Sequence, residues 1–329
     1  MNKLLIPKQI DCEVTSHCNL KCKYCPTLSK DAKAQHMELK LFKSIIDRVD
    51  FKTTIVPWLN GEPLMHPNYA EMIKYITARD LPCYIITNGT IWNEELFQHI
   101  TDDTSCYQII FSLDGLWDKK SRSIEMARLG SDRKVIKENI ERFMALHLKK
   151  SSKMNIALKI CRRGQDYEEV ENYISYWLTQ GVDYVCVGSA LVDDDVEGMR
   201  IYPCQYSDNN FMVIKSDGRL ALCAYNDLMT NWDRKSVGKV DYDTPLLELY
   251  NNSAYTEFRR YQRKGIFRDI CNRCGFPYTG IGMEGVVRFR DKKLISKDIY
   301  YHQDYYNQFF SLRKDWKNRD YYKRGYEKK

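Results

Sequence analysis

The 329-residue chain lacks any long apolar run. Its apolar stretches are as short as 109–113, far below the roughly 20 residues that span a bilayer. This excludes a helical membrane protein. The first eleven residues carry too brief an apolar segment, and no small-residue cleavage site, for a secretory signal. No period of fixed length repeats along the chain, which excludes a solenoid or propeller. The six histidines show no metal-ligand spacing. What is present is ordinary globular material, 43% hydrophobic and 29% charged, enough for one large domain or two modest ones. The net charge of +7 is read first as a solvated surface, with an anionic partner as the rival reading.

Cysteine is the residue in excess. There are 12, at positions 12, 18, 22, 25, 83, 106, 161, 186, 204, 223, 271 and 274. A chain of this size without a secretory signal is expected in the cytoplasm, where thiols stay reduced. Cysteines there more often serve metals or catalysis. Seven fall into two sets. The other five sit mostly in apolar runs, where a thiol behaves as a small hydrophobe.

The first 190 residues alternate short β-branched runs with helical patterns. Strands are expected at 9–14, 53–58, 83–87, 108–113, 155–161 and 184–188. Helices are expected between them at 39–49, 69–79, 94–100, 134–148 and 167–180. The fourth helix carries Val135, Ile136, Ile140, Phe143, Met144 and Leu148 at helical spacing. Such alternation argues for parallel βα units. The expected fold is α/β, a partial (βα)6 TIM-like barrel over 1–190. A smaller module is expected over 191–290, opening on an acidic loop. It contains a hairpin (211–214, turn at 216–218, 220–223) and a helix at 246–264. A basic, tyrosine-rich tail, 291–329, reads as a helix docked on the barrel, in preference to a nucleic-acid stacking surface.

Directly after the first strand, Cys18, Cys22 and Cys25 stand as C-x3-C-x2-C. Most [4Fe–4S] clusters take four cysteines. Three on one loop leave one iron open to a small chelating ligand. The rival is zinc, with Cys12 or His17 as a fourth ligand. The motif resembles the radical S-adenosylmethionine (SAM) superfamily. That resemblance implies that SAM binds the open iron and is cleaved to a 5′-deoxyadenosyl radical that abstracts hydrogen from carbon. It places Tyr24 against the adenine, and Gly61, Glu62 and Pro63 as the motif that meets the SAM amino group, with Asn60 where glycine is usual. Asn88, in the Asn-Gly pair after the third strand, follows a family habit. Ser112 and Asp114 are implied contacts of ribose or substrate, and Val187 lies where the family packs the adenine. An external one-electron reductant, such as flavodoxin or ferredoxin, is implied as a partner.

The second set is Cys204, Cys223, Cys271 and Cys274. It resembles the SPASM/twitch extension of the same superfamily, at spacings similar to those of 2-deoxy-scyllo-inosamine dehydrogenases. A zinc ribbon is the alternative. Four thiolates fit one fully ligated auxiliary [4Fe–4S] cluster, and no cysteine follows Cys274 for another. A closed cluster holds no substrate but takes an electron.

Three residues are singled out for chemistry on substrate. Cys161 and Cys186 end the fifth and sixth strands, where a thiol can return hydrogen to a substrate radical; buried packing is the competing reading. Asp208 is a candidate base. Arg162, with Lys159 nearby, is a candidate for the SAM carboxylate or an anionic substrate. The expected activity is dehydrogenation of a polyhydroxylated or amino-sugar-like small molecule. Peptide or protein side-chain modification and radical epimerisation are the alternatives. The short segments before Cys18 and after Cys274 speak against a leader-peptide recognition domain.

Overall fold

The computed structural model describes residues 4–22, 25, 34–116, 128–129, 132–162, 167–189, 204–208, 211–224, 237–267, 271, 283–290 and 293–299. The strands are β1 Gln9–Cys12, β2 Lys21–Cys22, β3 Thr54–Val56, β4 Cys83–Thr87, β5 Cys106–Ser112 and β6 Arg128–Leu129. They continue with β7 Asn155–Arg162, β8 Tyr184–Ser189, β9 Phe211–Ile214, β10 Leu220–Ala221, β11 Met283–Arg290 and β12 Lys293–Ile299. The helices are α1 Leu39–Asp47, α2 Tyr69–Thr77, α3 Glu94–Asp102, α4 Arg133–Lys149 and α5 Tyr167–Gln180. Three more follow: α6 Gln205–Asp208, α7 Leu246–Tyr250 and α8 Ser253–Arg263.

Ten strands form one sheet in the order β10-β9-β1-β3-β4-β5-β7-β8-β11-β12. The six strands expected from the sequence run parallel through its centre. Each is separated from the next by a helix, and these helices bury their apolar stripes on one face. Ile10, Ile55, Ile85, Ile109, Leu158 and Val185 meet Phe42, Ile73, Phe97, Ile140 and Trp177 in a single core. Alternate strand residues turn to the opposite, inner face, as period two requires. There Val56, Tyr84, Ile86, Ile110 and Ala157 form a second, smaller cluster with Trp58 and Tyr184.

Helix α4 shows how the stripe is set. Asp132 caps it, accepting from the Lys134 amide at 2.9 Å. Ile136, Ile140 and Phe143 are buried, and Phe143 meets Phe97 and Phe111 edge-on at 5.2 and 5.6 Å between ring centroids. Val135 and Leu148, expected on that face, are exposed. Val135 lies about 100° around the helix from Ile136, and Leu148 falls in the last turn.

The second module joins the same sheet. β9 pairs in parallel with β1, and β10 returns antiparallel. Gly218, at φ 81°, makes the turn between them. The helix expected over 246–264 is broken at Asn251 and Asn252. Their side chains take backbone partners that compete with the helix: Asn251 exchanges hydrogen bonds with Leu5, and Asn252 accepts from the Tyr255 amide at 3.0 Å. At the far edge, β11 pairs antiparallel with β8 and with β12. Residues 293–299 are therefore a strand, where a docked helix was expected. The rest of the tail, 300–329, and the acidic loop at 191–198 lie outside the described residues. Among the described residues, no helix is long and apolar enough to cross a membrane.

Candidate active site at the carboxyl ends of the parallel strands

The first cysteine loop leaves β1 and is held in place on three sides. Thr15 bridges to His36, and the Ser16 amide donates to the Gln35 carbonyl at 3.0 Å. The Glu62 amide donates to the His17 carbonyl at 2.8 Å. The Asn88 side chain donates to Asn19, within the loop, at 3.0 Å. Within the loop, the Cys25 amide closes a turn onto the Cys22 carbonyl at 2.9 Å, and the Leu20 amide donates to the Cys18 sulfur at 3.4 Å. Cys18 is exposed, Cys25 half-buried and Cys22 buried. The donor set is three soft thiols with one sulfur already accepting a backbone N–H, which suits a cluster corner. Among the described residues, no group of three or more His, Cys, Asp or Glu is arranged to hold a single metal ion. Tyr24 lies outside the described residues.

Gly61 explains part of the Gly-Glu-Pro motif. It sits at φ 73°, and a Cβ there would stand 2.6 Å from the carbonyl oxygens of Thr15 and His17. Only glycine permits that approach. Glu62 is buried, and its carboxylate accepts from the Thr87 hydroxyl at 2.7 Å, the Asn88 amide at 2.7 Å and the Leu64 amide at 3.2 Å. It thereby ties the ends of β3 and β4 together. Pro63 opens a buried 3-10 turn, Pro63–Met65. Asn88 also accepts from Thr90, which receives a second bond from Asn19.

Ser112 is half-buried at the end of β5, in register with Lys159 and, through it, with Cys186. Burial pushes the Cys186 thiol up to about 11, against the pull of Lys159. It is therefore protonated at neutral pH. Asp114 is fully buried just beyond β5. Val187 is also fully buried, but in the core between sheet and helices, so its side chain faces away from the inner face. Cys161 and Arg162 close β7, and Asp208 closes α6; their side chains lie outside the described residues.

Cys204, Cys223 and Cys271 are buried at 8%, 8% and 7% exposure, in contrast to Cys18. The Cys204 amide donates to Gln262 at 2.9 Å. Cys274 lies outside the described residues. Cys12, Cys83 and Cys106 are fully buried core residues, as small hydrophobes are expected to be.

The sequence reading missed four features. Beside the loop His17 stacks on His36 at 4.4 Å between ring centroids, and His66 meets His36 edge-on at 5.0 Å. Burial lowers the pKa of His36 and His66, and the neighbouring rings lower that of His36 further. The second feature is the Glu13–Lys215 ion pair, 2.6 Å long and buried on both sides. Ser216 and Asn60 complete the Glu13 carboxylate, so Asn60 has a structural partner of its own. Third, Gln9 and Asp11 share the inner-face row of β1, and Glu13 follows them just past its end. Fourth, Tyr206 hydrogen-bonds Asp11. The alternation Gln9-Ile10-Asp11-Cys12-Glu13 was the available signal.

Residues 12–176 match the Radical SAM superfamily, and residues 203–275 match the iron–sulfur cluster-binding SPASM domain. The chain belongs to the radical SAM superfamily. It is a radical SAM enzyme with a SPASM domain, and the two families imply a SAM-binding [4Fe–4S] cluster together with auxiliary cluster binding. Cys18, Cys22 and Cys25 would hold the first; Cys204, Cys223, Cys271 and Cys274 would hold the auxiliary cluster. Over 315 residues the chain is 22% identical to the tungsten-containing aldehyde ferredoxin oxidoreductase cofactor-modifying protein of Pyrococcus furiosus, covering 81% of this chain and 87% of that protein. It is 33% identical over 109 residues to the SAM-dependent 2-deoxy-scyllo-inosamine dehydrogenase of Niallia circulans, covering 31% of this chain and 42% of the dehydrogenase. The fold superposes on Streptococcus suis SuiB bound to precursor peptide SuiA, with TM-score 0.63, 14% identity, and coverage of 83% of this chain and 71% of SuiB.

Proposed function

We propose that this radical SAM enzyme is an oxidoreductase that removes two hydrogens from a polyhydroxylated or amino-sugar-like small molecule. The observation that carries the reading is the contrast between the two cysteine sets. In the first set Cys18 is exposed beside the strand ends, Cys25 half-buried and Cys22 buried, while Cys204, Cys223 and Cys271 are all enclosed. When bound, SAM and the clusters supply a hydrogen-abstracting 5′-deoxyadenosyl radical and an acceptor for one electron. Oxidation of a secondary alcohol removes a hydrogen atom from carbon, a proton from oxygen and one electron. The protein's own share is to position the carbinol and accept the proton. Asp208, on the helix that follows Cys204, is the base candidate of this reading. The partial similarity to the 2-deoxy-scyllo-inosamine dehydrogenase supports the substrate class. A reducing compartment and an external one-electron donor of the flavodoxin or ferredoxin kind suit this chemistry.

One observation favours a second reading, epimerisation. Cys186 is buried beside Lys159 on the inner face, and its thiol is held protonated. A protonated thiol is the form that returns a hydrogen atom to a carbon radical. Turnover of aminocyclitols and polyols with SAM and dithionite in deuterated water separates the readings. The dehydrogenase yields a product lighter by two hydrogens. An unoxidised product carrying deuterium at the reacting carbon would replace that reading with epimerisation. Turnover of a peptide alone would replace both.

A further inference from the structure

Three polar side chains, Gln9, Asp11 and Glu13, alternate along the first strand with the core residues Ile10 and Cys12. Glu13 is committed to Lys215, Ser216 and Asn60. Asp11 differs. It is 5% exposed, and among the described residues its hydrogen-bond partners are the Gln9 amide, donating at 2.6 Å, and Tyr206. The Tyr84 hydroxyl donates in turn to Gln9 at 3.3 Å. Neither Gln9 nor Tyr206 carries a balancing positive charge. Burying a carboxyl on such terms is expensive. The fold does not require it there: the residues level with Asp11 on either side are Val56 and Val213, so an apolar side chain suits this layer.

The surroundings narrow what the carboxyl is for. Trp58, Tyr84 and Tyr184 stand on the same face around a small apolar cluster. Tyr206 packs beside Leu59, Val213 and Ala221 and belongs to the helix that follows Cys204. A carboxyl, an amide and several aromatic rings with polar tips are the side-chain types that recognise a compact ring molecule bearing hydroxyl or amino groups. Among the described residues, the titratable groups around Asp11 are Tyr84 and Tyr206 on facing elements, Cys12 on its own strand, and Glu13 just past the end of that strand, paired with Lys215. Desolvation pushes the Asp11 carboxyl up to about 7, so it holds a proton or gives one up near neutral pH.

We infer that Asp11, oriented by Gln9 and Tyr206, is the acidic recognition group for an amino or hydroxyl substituent of a small cyclic polyol held against the inner face. The inference deepens the small-molecule reading of this same site and rests on it. No sequence motif marks Asp11; its place in the row of β1 does.

The test uses the full chain, anaerobically reconstituted, with SAM present, and 2-deoxy-scyllo-inosamine as the probe. Calorimetric titration at pH 6 and pH 8 compares the wild type with Asp11→Asn, Asp11→Glu and Tyr206→Phe. Loss of a charge-assisted contact predicts that Asp11→Asn binds roughly 10- to 100-fold more weakly at pH 8. The deficit shrinks at pH 6, where the wild-type carboxyl is itself protonated. Asp11→Glu retains part of the affinity, and Tyr206→Phe loses less than Asp11→Asn. Two results would overturn the inference: a wild type that does not bind the probe, or an Asp11→Asn variant that binds it equally well at both pH values. Release of 5′-deoxyadenosine with dithionite and without probe is measured alongside. If every variant including the wild type fails to release it, the radical SAM reading fails, while the binding comparison still decides the role of Asp11.

Discussion

At Gly61 a methyl group would stand 2.6 Å from two carbonyl oxygens of the segment leading into Cys18. Gly61→Ala therefore forces the loop off the β3 end, at a cost of about 2 kcal/mol or more. Iron bound per chain after reconstitution and the thermal midpoint should both fall. The Glu13–Lys215 pair makes a different kind of demand. Lys215→Met leaves a buried carboxylate without its cation, which costs about 3 to 5 kcal/mol. Adding Glu13→Gln should recover much of that loss, because the uncompensated charge is gone; chemical unfolding of the two variants checks the order. Asp11 links residue chemistry to pH. Its folded pKa is raised from 3.8 to about 7, so the folded state binds the proton more tightly than the unfolded chain. Stability contributed by that proton is present below about pH 4 and is lost as pH rises to about 7, on the order of 4 kcal/mol at most. Asp11→Asn should thus be more stable than wild type at pH 8, with the gap closing toward pH 5, read from unfolding midpoints of the metal-free protein. Neither Asp11 nor the Glu13–Lys215 pair was visible as a motif. Gly61 was legible only as part of a family pattern, and the Glu13–Lys215 contact joins residues 202 apart.

Among the elements, the central parallel strands and the helices packed on them were the legible ones. β4 reads Cys-Tyr-Ile-Ile-Thr, is buried throughout, and was bounded correctly from its composition. β11 and β12 were missed because their runs hold Arg288, Arg290, Lys293 and Lys297, and antiparallel strands near a sheet edge need no continuous apolar run. The expected single helix at 246–264 failed at an Asn pair whose side chains prefer backbone partners. Asn252→Ala removes the cap of α8 and should cost about 1 kcal/mol. It also frees the Val237 carbonyl that Asn252 holds at 2.8 Å. Amide exchange in the first turn of α8 should quicken, while that of α2 should not change.

For the molecule as a whole, the sheet arranges the chemistry. Helices occupy one face, and the strand ends bring the first cysteine loop, the Gly-Glu-Pro turn and Asn88 into one hydrogen-bonded set. Parallel pairing of β9 with β1 carries Lys215 and Ser216 to Glu13, so the SPASM segment and the radical SAM core share a sheet and an ion pair. The C-x3-C-x2-C spacing was legible because it is local, and the family matches over residues 12–176 and 203–275 agree with the two families it and the second cysteine set suggested. The inner-face residues around Asp11 were not disclosed, because strands brought together by folding contribute one side chain each. The most direct test of the account is reductive SAM cleavage by the anaerobically reconstituted chain with dithionite. Release of 5′-deoxyadenosine by the wild type, and its loss in Cys18→Ala with the auxiliary cysteines intact, is the predicted result. Absence of 5′-deoxyadenosine from the iron-loaded wild type, or undiminished release by Cys18→Ala, would contradict it.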